Sequence, residues 1–241
     1  MTVSALAALL PGPATALLAG GAGLALAWGV GAAAARLRSR GVRVPYTRKL
    51  FHFGIFTGAA VVHALGGLPA TNAFGAVVAA WVLLAVARGE GDSLYEALAR
   101  DTDRPHRTLF ILVPLATTAV GGLLAALVAG PFAAVGYVVA GWGDAVGEPV
   151  GARWGRHPYR VPSFGGVGAR RTGEGSAAVF AAGAAAAFVA LAGLGVPTGS
   201  ALLVAPAVAA VATAVEALSH HGTDNLTVQL AASLAAMALA G

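Results

Sequence analysis

The amino-acid sequence predicts an all-α membrane protein, a polytopic bundle of about eight transmembrane helices. The chain is 58% hydrophobic and only 10% charged, whereas a soluble domain carries about 25% charged residues. Its mean hydropathy is +0.78. The apolar runs are long and continuous, which favours helices over the alternating pattern of a β-barrel. We expect one integral membrane domain over residues 1–241.

Eight apolar stretches have the length of about 20 residues that a helix needs to cross the hydrocarbon core. Placing the ends differently gives seven to nine. Glycine paired with a helix-stopping proline separates several of them, as at Gly66–Pro69, Gly130–Pro131 and Gly195–Pro197. The predicted spans are 14–36, 50–67, 72–88, 108–128, 131–152, 175–194, 199–219 and 224–240.

The basic residues are confined to three segments between spans. All 15 Lys and Arg residues lie within 36–49, 88–107 and 153–171. The positive-inside rule therefore predicts a multi-pass protein of the cell membrane with these loops in the cytoplasm and both termini outside. Because the charges flank apolar spans, they suit lipid headgroups and phosphorylated ligands rather than nucleic acid. The first apolar stretch lacks a basic residue before it, which favours an uncleaved helix over a signal peptide.

Two carboxylates, Asp144 and Glu148, lie in otherwise apolar sequence. Four residues apart on a helix, they share one face, and Asp144 lies roughly 13 Å from the basic end at Arg153. An Asp at the centre of a membrane helix costs about 3 kcal/mol, so it needs an ion pair, a metal or a polar cavity. Two interpretations of Asp144 are open: it forms an ion pair with Arg153, or it is a functional carboxylate. Gly147 and Gly151 leave room on that face for a ligand or a close helix.

The segment 163–176 is rich in glycine and arginine and opens directly into an apolar run. Unpaired N–H groups at a helix start bind anions, and arginine adds forked donors. It lacks the lysine-containing Walker A pattern. The alternative is a flexible basic loop. The predicted nucleotide-binding residues are Arg170, Arg171, Thr172, Gly173, Glu174, Gly175 and Ser176.

Two further polar clusters lie near predicted span ends. The C-terminal cluster holds Glu216, Asp224 and Asn225, although Asp224 could simply cap a helix. The neighbouring His220 and His221 could be metal ligands, but we expect them to be solvated. Magnesium prefers carboxylate and phosphate oxygen, and the predicted metal ligands are Asp144, Glu148, Glu216, Asp224 and Asn225.

The N-terminal cluster is Arg48, Lys49 and His52, within one turn of the second span. By itself it could be a headgroup anchor. The segment 88–107 is expected to be a short cytoplasmic helix lying against the membrane, with no chemistry assigned to it.

Four sequence pieces in order carry a family resemblance. They are T-R-K-L-F-H at 47–52, G-D-A-V-G-E-P-V-G-A-R-W-G at 143–155, R-T-G-E-G-S at 171–176, and V-E-A-L-S followed by D-N-L-T-V within 215–228. Together they resemble the CTP-dependent lipid-alcohol kinases, which include phytol kinase and dolichol kinase. The last pair of motifs points to the phytol kinase branch.

The resemblance implies transfer of the γ-phosphoryl group of CTP to a lipid alcohol at the cytoplasmic membrane face, with Mg²⁺. Asp144 is then the leading metal-binding or general-base residue, and Glu216 and Asp224 belong to the catalytic set. The chain departs from the family pattern at Arg171, where lysine is often found, and at Glu148–Pro149, where small residues are more usual. The alcohol and the oligomeric state remain open.

Three other functions are less well supported by the sequence. A phosphatidate cytidylyltransferase would carry a K-D and P-G-H-G-G signature, which the chain lacks. A transporter could use Asp144 and Glu148 as a cation or proton relay, but transporter sites lie near the membrane midplane, whereas the polar clusters here gather at one face. A non-catalytic scaffold gives no reason for buried acids.

Overall fold

The computed structural model of the chain describes residues 9–163 and 167–241. Within these ranges the chain forms eight α-helices and one short pair of strands. The helices are α1 Pro13–Ser39, α2 Val44–Arg88, α3 Ser93–Leu98, α4 Leu109–Ala129, α5 Ala133–Trp154, α6 Gly173–Gly193, α7 Thr198–Leu218 and α8 Asp224–Ala240. The strands are β1 Pro158–Val161 and β2 Ala169–Thr172.

Helix α2 is a helical hairpin rather than one straight rod. Gly67 leaves the helical conformation with φ +63° and ψ −160°, and Pro69 follows it. A Cβ atom on Gly58 would lie 3.0 Å from Cζ of Phe74, although these residues would be about 24 Å apart in a straight helix. The two arms of α2 therefore run antiparallel and match the separate predicted spans 50–67 and 72–88.

Helices α4 and α5 form a second hairpin around the 3₁₀ turn Gly130–Phe132. The Tyr137 hydroxyl of α5 donates to the carbonyl of Gly122 in α4 at 2.8 Å. Buried His63 joins the two hairpins, since its ring nitrogens lie 3.1 Å from the hydroxyl of Thr71 and 3.0 Å from the carbonyl of Gly130. The two hairpin turns are thus held together at one end of the bundle.

Five helical segments are long and apolar enough to cross a membrane among the described residues. Two of them, Val44–Arg88 and Leu109–Trp154, are the hairpins and span 45 and 46 residues. The helices α1, α6 and α7 are the others, while α8 has only 17 residues. The predicted all-α membrane bundle is confirmed. The number of eight crossings and the sidedness of the termini stay predictions.

Helix α5 lies at the centre of the bundle. Its first half is buried, and Val135 and Val139 pack with residues of α6, α7 and α8 in one apolar core. Small residues allow this close packing, which drives helix association in lipid. A Cβ atom on Gly136 would collide with the Ser233 hydroxyl and the Gln229 carbonyl of α8.

The pair of strands was not part of the all-α prediction. Strands β1 and β2 run antiparallel, with Tyr159 opposite Arg171 and Arg160 opposite Arg170. Each strand has four residues, which is too short to give a readable alternation in the sequence. The predicted glycine-rich loop is therefore partly a β-hairpin. Two of its glycines, Gly165 and Gly166, lie outside the described residues.

The segment between α2 and α4 packs into the bundle, which corrects the expectation that it lies against the membrane. Helix α3 buries Leu94, Tyr95 and Leu98 against α2 and α4. The Asp92 carboxylate caps its start by accepting from the backbone N–H groups of Leu94 and Tyr95 at 2.9 and 3.0 Å. This segment can therefore contribute side chains to the interior.

The polar segments meet at one end of the bundle, which we call the polar end and define as residues 40–49, 89–108, 155–163, 167–176 and 216–225. The backbone N–H of His221 donates to the carbonyl of Pro162 at 2.8 Å, and Arg171 pairs with Asp224. Because successive helices are antiparallel, segments that are distant in the sequence become neighbours here.

We predict that Gly136→Ala destabilises the bundle by about 1–3 kcal/mol, because its methyl group would overpack the contact between α5 and α8. Thermal unfolding of the purified protein in detergent measures the effect. Gly29→Ala on α1 is the control, because a Cβ atom there meets nothing within 4 Å. Equal unfolding temperatures for the two variants would contradict the packing described here.

Candidate active site

A cavity of about 430 Å³ opens at the polar end, and we call it the polar cavity. It is bounded by the start of α2, the second half of α5, strand β2, the start of α6, the end of α7 and the start of α8. Twelve predicted site residues line it: Arg48, Lys49, Asp144, Glu148, Arg170, Arg171, Thr172, Gly175, Ser176, Glu216, Asp224 and Asn225.

Lys49 lies between the two carboxylates of α5. Its Nζ is 2.5 Å from Oδ2 of Asp144 and 2.8 Å from Oε2 of Glu148. Lys49 is buried, with 4% of its surface exposed. The alternative partner of Asp144, Arg153, instead lies over the ring of Trp154 at 5.1 Å. The buried acids are thus paired across helices α2 and α5, which compensates part of the desolvation cost of all three charges.

His52 lies one turn beyond Lys49 on α2 and approaches the same carboxylate. Its Nε2 is 3.3 Å from Oδ2 of Asp144, but the angle does not make a hydrogen bond, and this buried nitrogen has no hydrogen-bond partner among the described residues. The ring stacks on Phe56 at 4.2 Å between centroids. His52 therefore lies beside Asp144 with a ring nitrogen that can still form a hydrogen bond.

The second pair of acids is held by Arg171 of strand β2. Its Nε is 2.7 Å from Oε1 of Glu216, and its Nη2 is 2.9 Å from Oδ2 of Asp224. Its Nη1 also donates to the backbone carbonyls of Glu216 and Ser219. Arg171 thus joins the end of α7 to the start of α8, and its donors are committed to the protein itself.

Asn225 is buried and turned towards α4. Its side-chain amide donates to the Thr118 hydroxyl at 2.8 Å and to the Pro114 carbonyl at 3.4 Å. These contacts tie α8 to α4 at the edge of the polar cavity. Asn225 therefore lines the polar cavity, but its side-chain amide is held by α4.

The start of α6 is already capped by its own side chains. The Thr172 hydroxyl accepts from the backbone N–H of Gly175 at 3.0 Å. The Glu174 carboxylate accepts from the N–H groups of Arg156 and His157, and the N–H of Gly173 donates to the His157 carbonyl. Gly173 and Glu174 do not line the polar cavity, whereas the other predicted nucleotide-binding residues do.

The glycines of α5 serve close helix packing. A Cβ atom on Gly151 would lie 2.9 Å from the Thr172 hydroxyl oxygen, and one on Gly147 would lie 3.2 Å from the Gly175 carbonyl. The structure therefore shows the close helix of the two sequence readings, and both glycines also line the polar cavity. This contact places the start of α6 directly beside the face that carries Asp144 and Glu148.

Four titratable residues of the cavity were missing from the predicted site: Arg43, Arg100, Asp103 and His221. Arg100 bonds to three of its neighbours, with 3.2 Å to Glu148, 2.9 Å to Asp103 and 2.7 Å to His221. His221 is thus mostly buried and bonded, which corrects the expectation that it is solvated. The alternating acidic and basic residues of 88–107 were the sequence signal that could have placed Arg100 and Asp103 in the site.

Arg100 remains charged in this setting. Burial lowers the pKa of its guanidinium, but the carboxylates of Glu148 and Asp103 outweigh burial and raise that pKa above its ordinary value. For Asp103 the effects have the opposite sign. Burial raises the pKa of its carboxyl group, but the hydrogen bond from His221 and the charge of Arg100 outweigh burial and lower that pKa below its ordinary value. Both groups therefore keep their charges at neutral pH.

Arg43 and Arg170 differ from the other cations of the cavity. Both are exposed and line it, and neither has a salt bridge within residues 9–163 and 167–241. Arg48 donates to the Phe110 carbonyl at 3.2 Å and likewise has no carboxylate partner there. These three guanidinium groups are available to an anionic ligand.

The four carboxylates among the predicted metal ligands form two separate pairs, each held by a cation, and Asn225 bonds to α4 instead. Within the described ranges, no group of three or more Asp, Glu or His side chains could hold a metal ion. Magnesium usually takes only one or two protein carboxylates and completes its shell with phosphate and water. The Oε2 atom of Glu216 is buried without a hydrogen-bond partner among the described residues. The donor chemistry therefore fits a magnesium ion that a phosphate ligand helps to bind.

A second cavity, of about 240 Å³, lies between the two arms of α2, helix α4 and helix α5. Its walls are mainly apolar, and we call it the tail cavity. It shares Arg48, Pro114 and Asn225 with the polar cavity. His52 lines the tail cavity while Asp144 lines the polar one, so their close approach marks the boundary between the two spaces.

The chain is similar to a curated protein named phytol kinase from Synechocystis sp., with 39% identity over 107 residues. The match covers 44% of this chain and 44% of the relative, so it spans less than half of either protein. It supports the resemblance to a phytol kinase-like family. No family model matches the chain. No solved structure matches it either.

We predict that Lys49→Met lowers the free energy of unfolding by about 3 kcal/mol, because it leaves two buried carboxylates without their cation. Unfolding in mixed detergent micelles measures the loss. The combined variant Lys49→Met, Asp144→Asn, Glu148→Gln should recover most of it, because the unpaired charges are gone.

Arg88→Met is the matched control for that measurement. Its side chain is 58% exposed and faces Asp92 at 3.6 Å, and such surface pairs contribute less than about 1 kcal/mol. If the Lys49 and Arg88 variants lose equal stability, the ion pair between α2 and α5 is not the structural link described above.

Proposed function

We propose that this protein is a membrane kinase that transfers the γ-phosphoryl group of CTP to the hydroxyl of an isoprenoid alcohol such as phytol, geranylgeraniol or a related prenol. The observation that carries the proposal is the junction of a polar, cation-lined cavity with an apolar one at Arg48, Pro114 and Asn225. A phosphorylated donor and a lipid acceptor need such adjoining spaces. The similarity to a phytol kinase supports the same reaction class.

The triphosphate would bind in the polar cavity beside Arg43, Arg48 and Arg170. Their guanidinium groups have no carboxylate partner among the described residues, and guanidinium forks match phosphate oxygen. Phosphoryl transfer depends mainly on aligning the reacting oxygens and neutralising charge. The cavity would therefore act through position and electrostatics, at the cytoplasmic face that the basic loops indicate.

Magnesium would be held by Asp144 and Glu216 together with phosphate oxygen, and it would supply neutralisation of the phosphate charge. Glu148 and Asp224 would support this set indirectly, because each shares a cation with one of the two carboxylates. Lys49 and Arg171 would keep the acids in place before the donor arrives.

The alcohol hydroxyl would lie at the boundary between the cavities, beside Asp144 and His52. Asp144 would take the hydroxyl proton while the oxygen forms a bond to the γ-phosphorus. The bond from that phosphorus to the β–γ bridging oxygen breaks, and CDP leaves. His52 Nε2 lies 3.3 Å from Oδ2 without a hydrogen bond to it, so it would be free to bond to the incoming hydroxyl. Such a positioned base contributes about 10²–10⁴ in rate.

Labelled CTP or ATP, incubated with the purified protein and a panel of prenols, tests the proposal. A phosphorylated alcohol and CDP are the expected products. A CDP-lipid with pyrophosphate would point to a cytidylyltransferase instead. Cation flux in liposomes without nucleotide use would point to a transporter. Either result would overturn the kinase proposal.

We predict that Asp144→Asn folds but loses kinase activity by at least about a hundredfold, because the variant cannot take up the proton. Turnover with CTP and the best prenol measures the loss. Asp101→Asn is the control, since that carboxylate is 63% exposed and does not line the polar cavity. Near wild-type turnover in Asp144→Asn would remove Asp144 from the mechanism.

We predict that Arg170→Gln raises the KM for the nucleotide about tenfold, because one charge-assisted phosphate contact is lost. Initial rates over a range of CTP concentrations give the value. Arg160→Gln is matched to it, because Arg160 faces Arg170 across the β-hairpin and does not line the cavity. An equal change in both variants would indicate a general effect of basic charge rather than a phosphate contact.

A further inference from the structure

We infer that the tail cavity holds the hydrocarbon tail of the alcohol and that Gly75 sets how bulky and how long a tail can pass. This inference rests on the proposed function for the identity of the ligand. Its structural basis is independent of that function, namely an apolar space that begins beside Asp144 and runs between the arms of α2.

The dimensions of the tail cavity suit one extended chain. His52 lies at its polar mouth, and Leu68 lies near its far end, just beyond the turn at Gly67. The first arm of α2 from His52 to Gly66 is about 21 Å long, which is most of the roughly 30 Å thickness of a hydrocarbon core. A tail entering at the mouth would therefore lie along the bundle at the depth of the lipid acyl chains.

The far end is bounded by the two hairpin turns. Thr71 and Tyr137 line it, and the His63 ring sits behind them, 5.4 Å from the Tyr137 ring between centroids. Because His63 bonds to Thr71 and to the Gly130 carbonyl, this end is a fixed wall. Tails that extend beyond it would have to leave through the side of the bundle.

A side opening exists between the second arm of α2 and helix α4. Gly75, Ala76 and Ala119 line the cavity and are also exposed on the bundle surface. Small residues on both edges keep this opening clear, and it gives a lipid alcohol a lateral path from the bilayer. A Cβ atom on Gly75 would meet nothing within 4 Å, so a larger side chain could occupy the space without a backbone clash.

Gly75 lies partway along the cavity. It follows Phe74, which contacts the position of Gly58, and Gly58 is about 9 Å from His52 along α2. A side chain at Gly75 would therefore leave the first part of the cavity free and block the rest. It would affect long tails and spare short ones.

The experiment compares Gly75→Leu with the wild-type protein on two alcohols, geraniol with two isoprene units and geranylgeraniol with four. We expect kcat/KM for the longer alcohol to fall about tenfold or more, which is the loss expected when about two methylene groups lose their burial. The value for geraniol should change less than twofold. The substitution also raises helix propensity, so the variant should fold.

Two controls accompany it. Gly21→Leu on α1 adds the same side chain at an exposed glycine with nothing within 4 Å of its Cβ position, and it should leave both alcohols unchanged. Ala119→Phe narrows the cavity from helix α4 and should repeat the loss for the longer alcohol. Equal effects of Gly75→Leu on both alcohols, or none on either, would overturn the inference.

Binding of tritiated geranylgeraniol without nucleotide separates this inference from the proposed function. If the wild type binds the alcohol, Gly75→Leu weakens binding and neither nucleotide is used, the tail site stands and the kinase proposal fails. If CTP is used but binding and tail preference are unchanged in Gly75→Leu, the kinase proposal stands and the tail site is refuted.

Discussion

The ion pairs of Lys49 with Asp144 and Glu148 are the constraint on which the rest of this structure depends. They place three charges inside a bundle of apolar helices, where isolated charges would be prohibitively costly. They also fix the first arm of α2 against α5. The polar cavity opens on one side of this contact and the tail cavity begins on the other, so the same pairing that makes the acids tolerable also sets where the two spaces meet.

The cations of the polar cavity divide into two groups with different roles. Lys49, Arg100 and Arg171 are bonded to carboxylates and hold the walls together. Arg43, Arg48 and Arg170 have no such partner among the described residues, and Arg43 and Arg170 are exposed. The proposed triphosphate site would need both kinds, because an anion that had to displace structural ion pairs would weaken the fold as it bound.

Much of this arrangement could be predicted from the sequence, since continuous apolar runs and glycine–proline breaks mark helices by local chemistry alone. The turn at Gly67 is one such case. The pairing of the acids could not be predicted, because Lys49 and Asp144 are brought together only by the packing of α2 on α5. Arg100, which follows helix α3, was missed for the same reason. In the sequence, α3 resembles a surface segment, and only the fold packs its apolar residues against α2 and α4. Short strands such as β1 have too few residues for an alternating pattern to be recognised in the sequence.

Glycine has opposite consequences in different parts of the bundle, since on α5 it lets helices pack closely and on the second arm of α2 it leaves space. Towards α6 and α8, Gly151 and Gly136 let the backbones approach until an added Cβ would collide. On the second arm of α2, a Cβ atom on Gly75 would meet nothing within 4 Å, and Gly75 lines the tail cavity together with Ala119 of α4. In lipid, helices associate mainly through close packing. Close contacts of α5 with its neighbours can therefore hold the walls of the polar cavity, while the arms of α2 and helix α4 leave room for the proposed lipid chain.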